Sequence, residues 1–215
     1  KNKTQDVIVK NLHLVVDAEG LTKPITYRFF MKSGDNTGRI SGEGEVLLQN
    51  PAALELSALG INSMLKIENW EMKDVLSVAA ARMPIPKGRG RLNADLAFDG
   101  SSDEKLQIKG NLSSNRLTLW GGPFKKKDTP RIKNIAIDLK AAQKPNGLSL
   151  DQISVESSLG SVSAKGFFDK QGDNRLALKA DLNLAELSKQ IPDTLKLRKS
   201  TKVTKGNLAV DAKLT

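Results

Sequence analysis

Hydrophobic and polar residues alternate through most of this chain. From Leu92 to Phe98 every even-numbered residue is apolar, and the same is true from Leu176 to Leu184. A period of two places apolar side chains on one face of a β-strand and polar ones on the other. Clusters typical of turns separate these runs, namely SGDNTG, DGSSDE, QKPNG and DKQGDN. Short strands joined by tight turns favour an antiparallel sheet, so the fold is predicted to be mainly β.

Two short segments break this alternation and are predicted to be helices. In each, apolar residues have the spacing of a one-sided helix, and a proline stands at its end. The first segment runs from Lys73 to Met83 before Pro84, and the second is AELSKQI before Pro192. Asn183, followed three residues later by Glu186, resembles a capping box. Both helices precede a glycine-led strand.

The chain also contains an internal repeat. Four segments recur in the same order: VKNLHL as IKNIAI, GRISGEG as GSVSAKG, WEMKDV as LNLAEL, and GRLNAD as GNLAVD. Their offsets are 123, 122, 112 and 116 residues, a drift that loop deletions explain. We predict a first β repeat unit over residues 1–131 and a second, incomplete unit over residues 132–215, with one continuous sheet as an alternative arrangement. A chain that stops partway through its repeat is expected to be a piece of a larger repeat protein.

The residue types present exclude most catalytic sites. The chain has no cysteine and one histidine, His13, so zinc sites and Cys–His or Ser–His pairs lack the residues that they need. Gly-x-Gly pairs occur, but Leu47 and Asn93 stand where a dinucleotide-binding loop needs its third glycine. We therefore expect no enzyme activity, no cofactor and no metal, and we interpret His13 as an ordinary strand residue.

The net charge of +10 is spread along the chain. Two basic stretches occur, Lys125 to Lys127 and LKLRKSTKVTK, and the second has no aromatic residue nearby on which a nucleic-acid base would stack. We interpret both stretches as solvated loops, with contact to lipid phosphates as the alternative. Nucleic acid is the least favoured partner.

The order of these segments resembles a known family. Strands such as GRISGEGEV and GSVSAKGFFD, the element NLAELSKQIP, and the strands GRLNADLAFDG and GNLAVDAKL resemble AsmA-type bacterial envelope proteins, from about Val7 onward. That superfamily includes TamB-like and other bridge-like lipid-transport proteins. The resemblance implies a periplasmic body whose β repeats form an elongated half-pipe with an apolar interior. It also implies an inner-membrane anchor in a segment outside this chain, and no catalytic residues.

The resemblance and the alternation together predict a function. We expect an elongated, curled antiparallel sheet, a half-pipe or groove of tandem repeats with a short helix in each, which binds phospholipid or another acyl-chain lipid. Its role would be phospholipid transport between the inner and outer membranes, or envelope homeostasis. The residues predicted to line this groove are Leu92, Leu96, Phe98, Leu106, Ile108, Leu112, Leu176, Leu178 and Leu182.

Two alternatives share the same strand pattern. The first is a structural or adhesive tandem β-module without a lipid path, in which the same nine side chains would fill two closed cores. The second, suggested by the charge alone, is binding to nucleic acid, which would weaken steeply as salt is added.

Overall fold

The fold consists of eleven strands and two short helices. The computed structural model describes residues 9–35, 37–48, 59–80, 86–101, 105–125, 127–198 and 201–214. The elements, in chain order, are β1 (Val9–Asp17), β2 (Ile25–Ser33), β3 (Arg39–Leu48), β4 (Leu59–Glu71), α1 (Met72–Ala80), β5 (Lys87–Ser101), β6 (Leu106–Trp120), β7 (Arg131–Lys144), β8 (Gly147–Ser157), β9 (Gly160–Asp169), β10 (Asn174–Asn183), α2 (Leu184–Gln190) and β11 (Asn207–Leu214).

All eleven strands belong to one antiparallel sheet, and each pairs with its neighbour in the sequence. The predicted mainly β, antiparallel fold is therefore confirmed. The sheet is open, because within the described residues β1 and β11 each pair on one side only. Its curled, trough-like form is consistent with the predicted groove.

The sheet continues without a break across the predicted boundary between the two repeat units. Strand β6 of the first unit pairs with β7 of the second, with Leu112 opposite Ile137 and Gly110 opposite Leu139. The order of four strands, a helix and a further strand occurs twice along the chain, first with α1 and then with α2. Two separate sandwiches are therefore not the arrangement that the chain adopts.

Both helices lie at the same end of the sheet, because each follows an even-numbered strand of an antiparallel series. We call this the helix end; it also contains the loop of residues 121–130 between β6 and β7. The predicted cap of α2 is present, since the side chain of Asn183 accepts a hydrogen bond from the backbone N–H of Glu186 at 3.0 Å. The predicted end of α1 at Met83 and Pro84 lies outside the described residues.

Irregular backbone is concentrated near the helix end. Asn11, Asn69 and Arg116 have φ angles of 51°, 54° and 57°, and the strand register shifts beside each of them. Asparagine is one of the few residues that tolerates this left-handed conformation, whereas arginine rarely adopts it. Such bulges increase the local twist of a sheet and redirect the side chains next to them.

The largest buried apolar side chains also lie at the helix end. Trp70, Leu92, Leu117, Ile132 and Ile191 are each at most 9% exposed. The two helices pack against this part of the sheet. Leu76 of α1, for example, lies so near Gly88 in β5 that a Cβ atom added to this glycine would be only 2.7 Å from the Leu76 Cδ1 atom. The described part of the chain therefore has a compact core at one end of a sheet that is otherwise a single layer.

One buried hydroxyl group in this core is unpaired among the described residues. Ser114 is 1% exposed, and its Oγ atom has no hydrogen-bond partner there. A buried polar atom without a partner destabilises the folded state. We expect Ser114→Ala to raise the free energy of unfolding by about 1 kcal/mol, measured by urea titration. The neighbouring, exposed Ser113→Ala is the control and should change it by less than about 0.5 kcal/mol; equal effects would contradict the assignment.

Candidate functional site

One face of the sheet carries an apolar row that crosses every strand. Antiparallel pairing places directly opposed residues on the same face, and the registers connect one residue from each strand into a line. This central row consists of Leu14, Phe29, Gly42, Leu65, Leu96, Gly110, Leu139, Ile153, Ala164, Leu178 and Ala212. None of these residues is polar.

Two further rows flank the central row on the same face. The row toward the helix end is Met31, Ile40, Ile67, Ala94, Leu112, Ile137, Val155, Val162, Ala180 and Val210. The row on the other side is Val16, Tyr27, Gly44, Ser63, Phe98, Ile108, Ala141, Leu150, Gly166, Leu176 and Leu214. We call the three rows the apolar face. The two polar side chains of this face form a hydrogen bond with each other, in which the Tyr27 hydroxyl donates to Ser63 Oγ at 2.8 Å.

The structure places all nine predicted lining residues on one side of the sheet. Six of them belong to the apolar face, and Leu92, Leu106 and Leu182 extend it along the same strands. Eight of the nine are partly exposed, whereas Leu92 is 6% exposed. Leu92 is thus part of the core at the helix end, where Trp70 lies opposite it, and it is not available as an open lining residue.

Two glycines of the central row leave room for larger side chains on the neighbouring strands. A Cβ added at Gly42 would lie 2.5 Å from the ring of Phe29, and one at Gly110 would lie 2.3 Å from the Leu96 Cδ2 atom. The side chains of Phe29 and Leu96 therefore extend sideways over the neighbouring glycine strand. A concavity of about 490 Å³ lies at these strands, and most of its lining residues, such as Met64, Ala97 and Lys109, belong to the opposite face.

The apolar face has no second layer of secondary structure over it in the described ranges. Strands contact mainly the strands beside them, and the helices contact β5, β10 and β11. At the two edges the face is most open, with Leu14 60% and Leu214 67% exposed. A sheet with one apolar face normally buries that face against another layer or a ligand.

The opposite face is charged and solvated. It carries the ion pairs Arg28–Glu43, Lys66–Glu68 and Lys179–Asp211, whose side chains are largely exposed. Exposed pairs of this kind contribute little to stability. His13 lies on this face, stacked on Phe30 with ring centroids 5.3 Å apart, and so it occupies an ordinary strand position.

The structure shows no metal cluster in its described residues. No three His, Asp or Glu side chains there lie close enough to hold a metal ion. Neither helix is sufficiently long and apolar to cross a membrane, as far as the described residues extend. Asp35 has a strongly lowered pKa, because the hydroxyl groups of Ser33 and Thr37 and the Thr37 N–H donate to its carboxylate, with a smaller contribution from Arg91. These bonds order a turn.

One buried carboxylate joins the loop after β6 to the segment after α2. Asp128, in the loop between β6 and β7, accepts hydrogen bonds from the backbone N–H of Asp193 at 3.2 Å and from both the backbone N–H and the hydroxyl of Thr194. Burial opposes ionisation of Asp128, but the bonds from Thr194 and Asp193 and the charge of Lys125 outweigh it and lower its pKa. Sequence reasoning missed Asp128, because an aspartate before Thr-Pro is indistinguishable from other turn residues.

The basic stretch at Lys125 to Lys127 belongs to the same loop. The backbone N–H of Lys125 donates to the Thr194 Oγ1 atom at 3.1 Å, so the loop is held against the segment after α2.

Comparisons with known proteins add no assignment: no protein-family model, no curated protein and no solved structure matches the chain.

Proposed function

We propose that the apolar face binds the acyl chains of phospholipid, and that the chain forms part of a periplasmic groove for phospholipid transport between the inner and outer membranes, or for envelope homeostasis. The observation that supports this proposal is the central row, which is apolar in all eleven strands and is not covered by a second layer of the described residues. No catalytic role is proposed.

The dimensions of the face suit an acyl chain. Ten inter-strand steps of about 4.8 Å give a path of about 48 Å, longer than one extended fatty acid tail. Each methylene group that leaves water gains about 0.8 kcal/mol. Because the row is uniformly apolar, a chain bound at one strand would find similar contacts at the next, which favours sliding over retention at one deep site.

The cellular setting of the proposal rests on the resemblance to AsmA-like proteins in the order of the segments. On that basis we propose that the parent protein is held in the inner membrane by a segment outside this chain and that its β repeats extend through the periplasm. The continuous sheet supports this, since a groove must pass from one repeat to the next.

The alternative function is a structural or adhesive β-module without a lipid path, now with one continuous sheet in place of the two closed cores expected from the sequence. The packed core at the helix end supports it, because that end holds the strands together without any ligand. In this alternative, another protein layer would cover the apolar face in place of lipid. The two proposals differ in one measurable respect, the presence of lipid on the face.

Photocrosslinking combined with mass spectrometry tests the proposal. We expect a photoreactive amino acid at Leu96 or Ile108, on the apolar face, to crosslink to phospholipid in cells. The matched control positions are Ala97 and Lys109, which follow directly on the same strands and face the opposite side. Lipid should also be released from the purified protein under denaturing conditions.

Equal crosslinking on both faces, or no lipid at Leu96 and Ile108, would refute the proposal. A protein adduct at those two positions in place of lipid would support the structural module. Crosslinks are compared as lipid adduct per mole of protein, so that differences in expression between variants do not affect the result.

A further inference from the structure

The end of the sheet opposite the helix end is polar and open to water. We call it the loop end; the described turns of residues 18–24, 145–146 and 170–173 lie there, because each follows an odd-numbered strand of the antiparallel series. Every residue of these three turns is exposed. Four of them are charged, namely Glu19, Lys23, Lys170 and Asp173.

The apolar side of the sheet continues as far as the loop end. A further row, the loop-end row, lies two residues along each strand from the row that contains Phe98, and its register runs unbroken from β2 to β9. Its large apolar side chains are Ile25, Val46, Ile61, Leu106, Leu148 and Phe168. Leu148 and Phe168 lie directly opposite each other and are 41% and 40% exposed. Val155 and Val162, farther toward the helix end on the same two strands, are less exposed.

At the helix end the same side of the sheet is closed across β4, β5 and β6. Leu92 and Ala94 of β5 are 6% and 2% exposed. Trp70 and Ser114, which lie opposite Leu92 on the two neighbouring strands, are 3% and 1% exposed. Helix α1 packs beside them against β5. A charged headgroup here would have to lie among packed side chains and lose its water, which is strongly unfavourable.

The distance between the two ends matches an acyl chain that lies along the strands. On β6, Leu106 in the loop-end row and Leu112 in the row toward the helix end are six residues apart, which is about 20 Å in a strand. One leaflet of a bilayer has a hydrocarbon thickness of about 15 Å, half that of the whole apolar core. The face is therefore wide enough for the acyl chains of one phospholipid.

We infer that a bound phospholipid lies with its acyl chains along the strands and its headgroup beyond the loop-end row, in the water beside the turns, an orientation that rests on the proposed acyl-chain function of the apolar face. The two ends of the sheet differ in the way that this orientation needs, since Trp70 and Leu92 are buried whereas Leu148 and Phe168 are open. A lipid held in this way moves sideways from strand to strand, and its headgroup stays in water throughout.

Fluorescence quenching by spin-labelled lipid tests the orientation. The chain has no cysteine, so one introduced cysteine carries a fluorophore at a chosen position. The variants are Leu106→Cys and Leu112→Cys on the apolar side of β6, and Gln107→Cys on the opposite face as the control. Each whole chain is incubated with phosphatidylcholine vesicles that carry a nitroxide either on the headgroup or at the end of an acyl chain, and the vesicles are then removed by sedimentation.

We expect the headgroup nitroxide to quench the label at position 106 at least about threefold more than the label at position 112, because the two positions are about 20 Å apart. The nitroxide at the chain end should give the reverse order. Equal quenching at both positions by both lipids, or stronger quenching at position 112 by the headgroup nitroxide, would overturn the orientation and leave the groove in place. If neither lipid quenches positions 106 and 112 more than position 107, the acyl-chain function itself is wrong, and the orientation with it.

Two lysine substitutions on β8 give a second measurement. Leu148→Lys places its ammonium group at the open rim, where it reaches water, so the lipid content of the purified chain should stay within about twofold. Val155→Lys places the same charge beside the acyl chain and should lower the lipid content at least about fivefold. Both variants must unfold cooperatively. An equal loss of lipid in the two variants would contradict the orientation, and if Val155→Lys does not fold, the quenching experiment decides.

Discussion

Replacing Asp128 by alanine is expected to lower the free energy of unfolding by about 3 kcal/mol. The carboxylate is 2% exposed and accepts from two backbone N–H groups and one hydroxyl. Alanine would leave the donors of Asp193 and Thr194 without this acceptor in a partly buried site. Because these contacts join the loop after β6 to the segment after α2, their loss should loosen the packing of these two segments. Guanidinium titration followed by circular dichroism measures the effect.

The control for Asp128→Ala is Asp173→Ala, which removes an aspartate whose side chain is 69% exposed and paired with Arg175. Its effect should remain below about 0.5 kcal/mol. If Asp128→Ala does not fold, Thr194→Val removes the hydroxyl that donates to Asp128 and accepts from the Lys125 N–H, and should cost about 1–2 kcal/mol. A change below about 0.5 kcal/mol for both Asp128→Ala and Thr194→Val would show that the contact is not stabilising.

The same carboxylate makes stability depend on pH with a defined sign. The pKa of Asp128 is lower in the folded chain than its usual value of about 3.9 in an unfolded chain. Its stabilisation is therefore complete above the unfolded pKa and is lost as pH falls through that value toward the folded pKa. The difference in unfolding free energy between the unmodified chain and Asp128→Ala should shrink as the solution is acidified. A constant difference from pH 7 to pH 3 would contradict this.

Placing a charge in the central row is expected to have the largest effect on lipid binding. Leu96→Asp should reduce co-purifying phospholipid at least about tenfold, because a carboxylate beside an acyl chain must either lose its water or keep the chain away. Leu178→Asp should do the same from β10, since a continuous path is interrupted by a charge at any strand. Lipid per mole of protein, measured by denaturing mass spectrometry, gives the result.

Ala97→Asp provides the matched control for Leu96→Asp. It adds the same charge to the next residue of β5, on the opposite face and opposite Lys109. Lipid content should remain unchanged in this variant. Each variant must also unfold cooperatively, so that loss of lipid is not loss of fold. If Leu96→Asp reduces binding and Leu178→Asp does not, lipid binds at one local site on β5 and the continuous groove is wrong.

The local alternation of apolar and polar residues predicted the strands well, for a physical reason. Side chains in a strand alternate between its faces, so burial of one face leaves a period of two in the sequence. The cap of α2 was equally predictable, because Asn183 and Glu186 interact across a single turn of the chain. Four turn clusters between the apolar runs also indicated that neighbouring strands would be antiparallel.

The depth and openness of the candidate site were not predictable in the same way. Leu92 and Leu96 have the same place in the alternation, yet Leu92 is buried beside Trp70 while Leu96 stays partly exposed over Gly110. Whether the side chain at Leu92 or at Leu96 is covered depends on where the helices pack against the sheet. The contact between Asp128 and Thr194 likewise joins residues 66 positions apart in the sequence.

The amino-acid sequence by itself determined three things: the strands with one apolar face, the position of α2 and the order of the repeated segments. Each of them follows from residues that are close to one another in the chain. Only the tertiary structure decided that all strands join one sheet, that Asp128 binds the segment after α2, and that the apolar face lacks a second layer in the described residues. Those properties depend on strand register and on packing between segments that are distant in the sequence. The alternation of apolar and polar residues is the same whether the apolar face is covered or open.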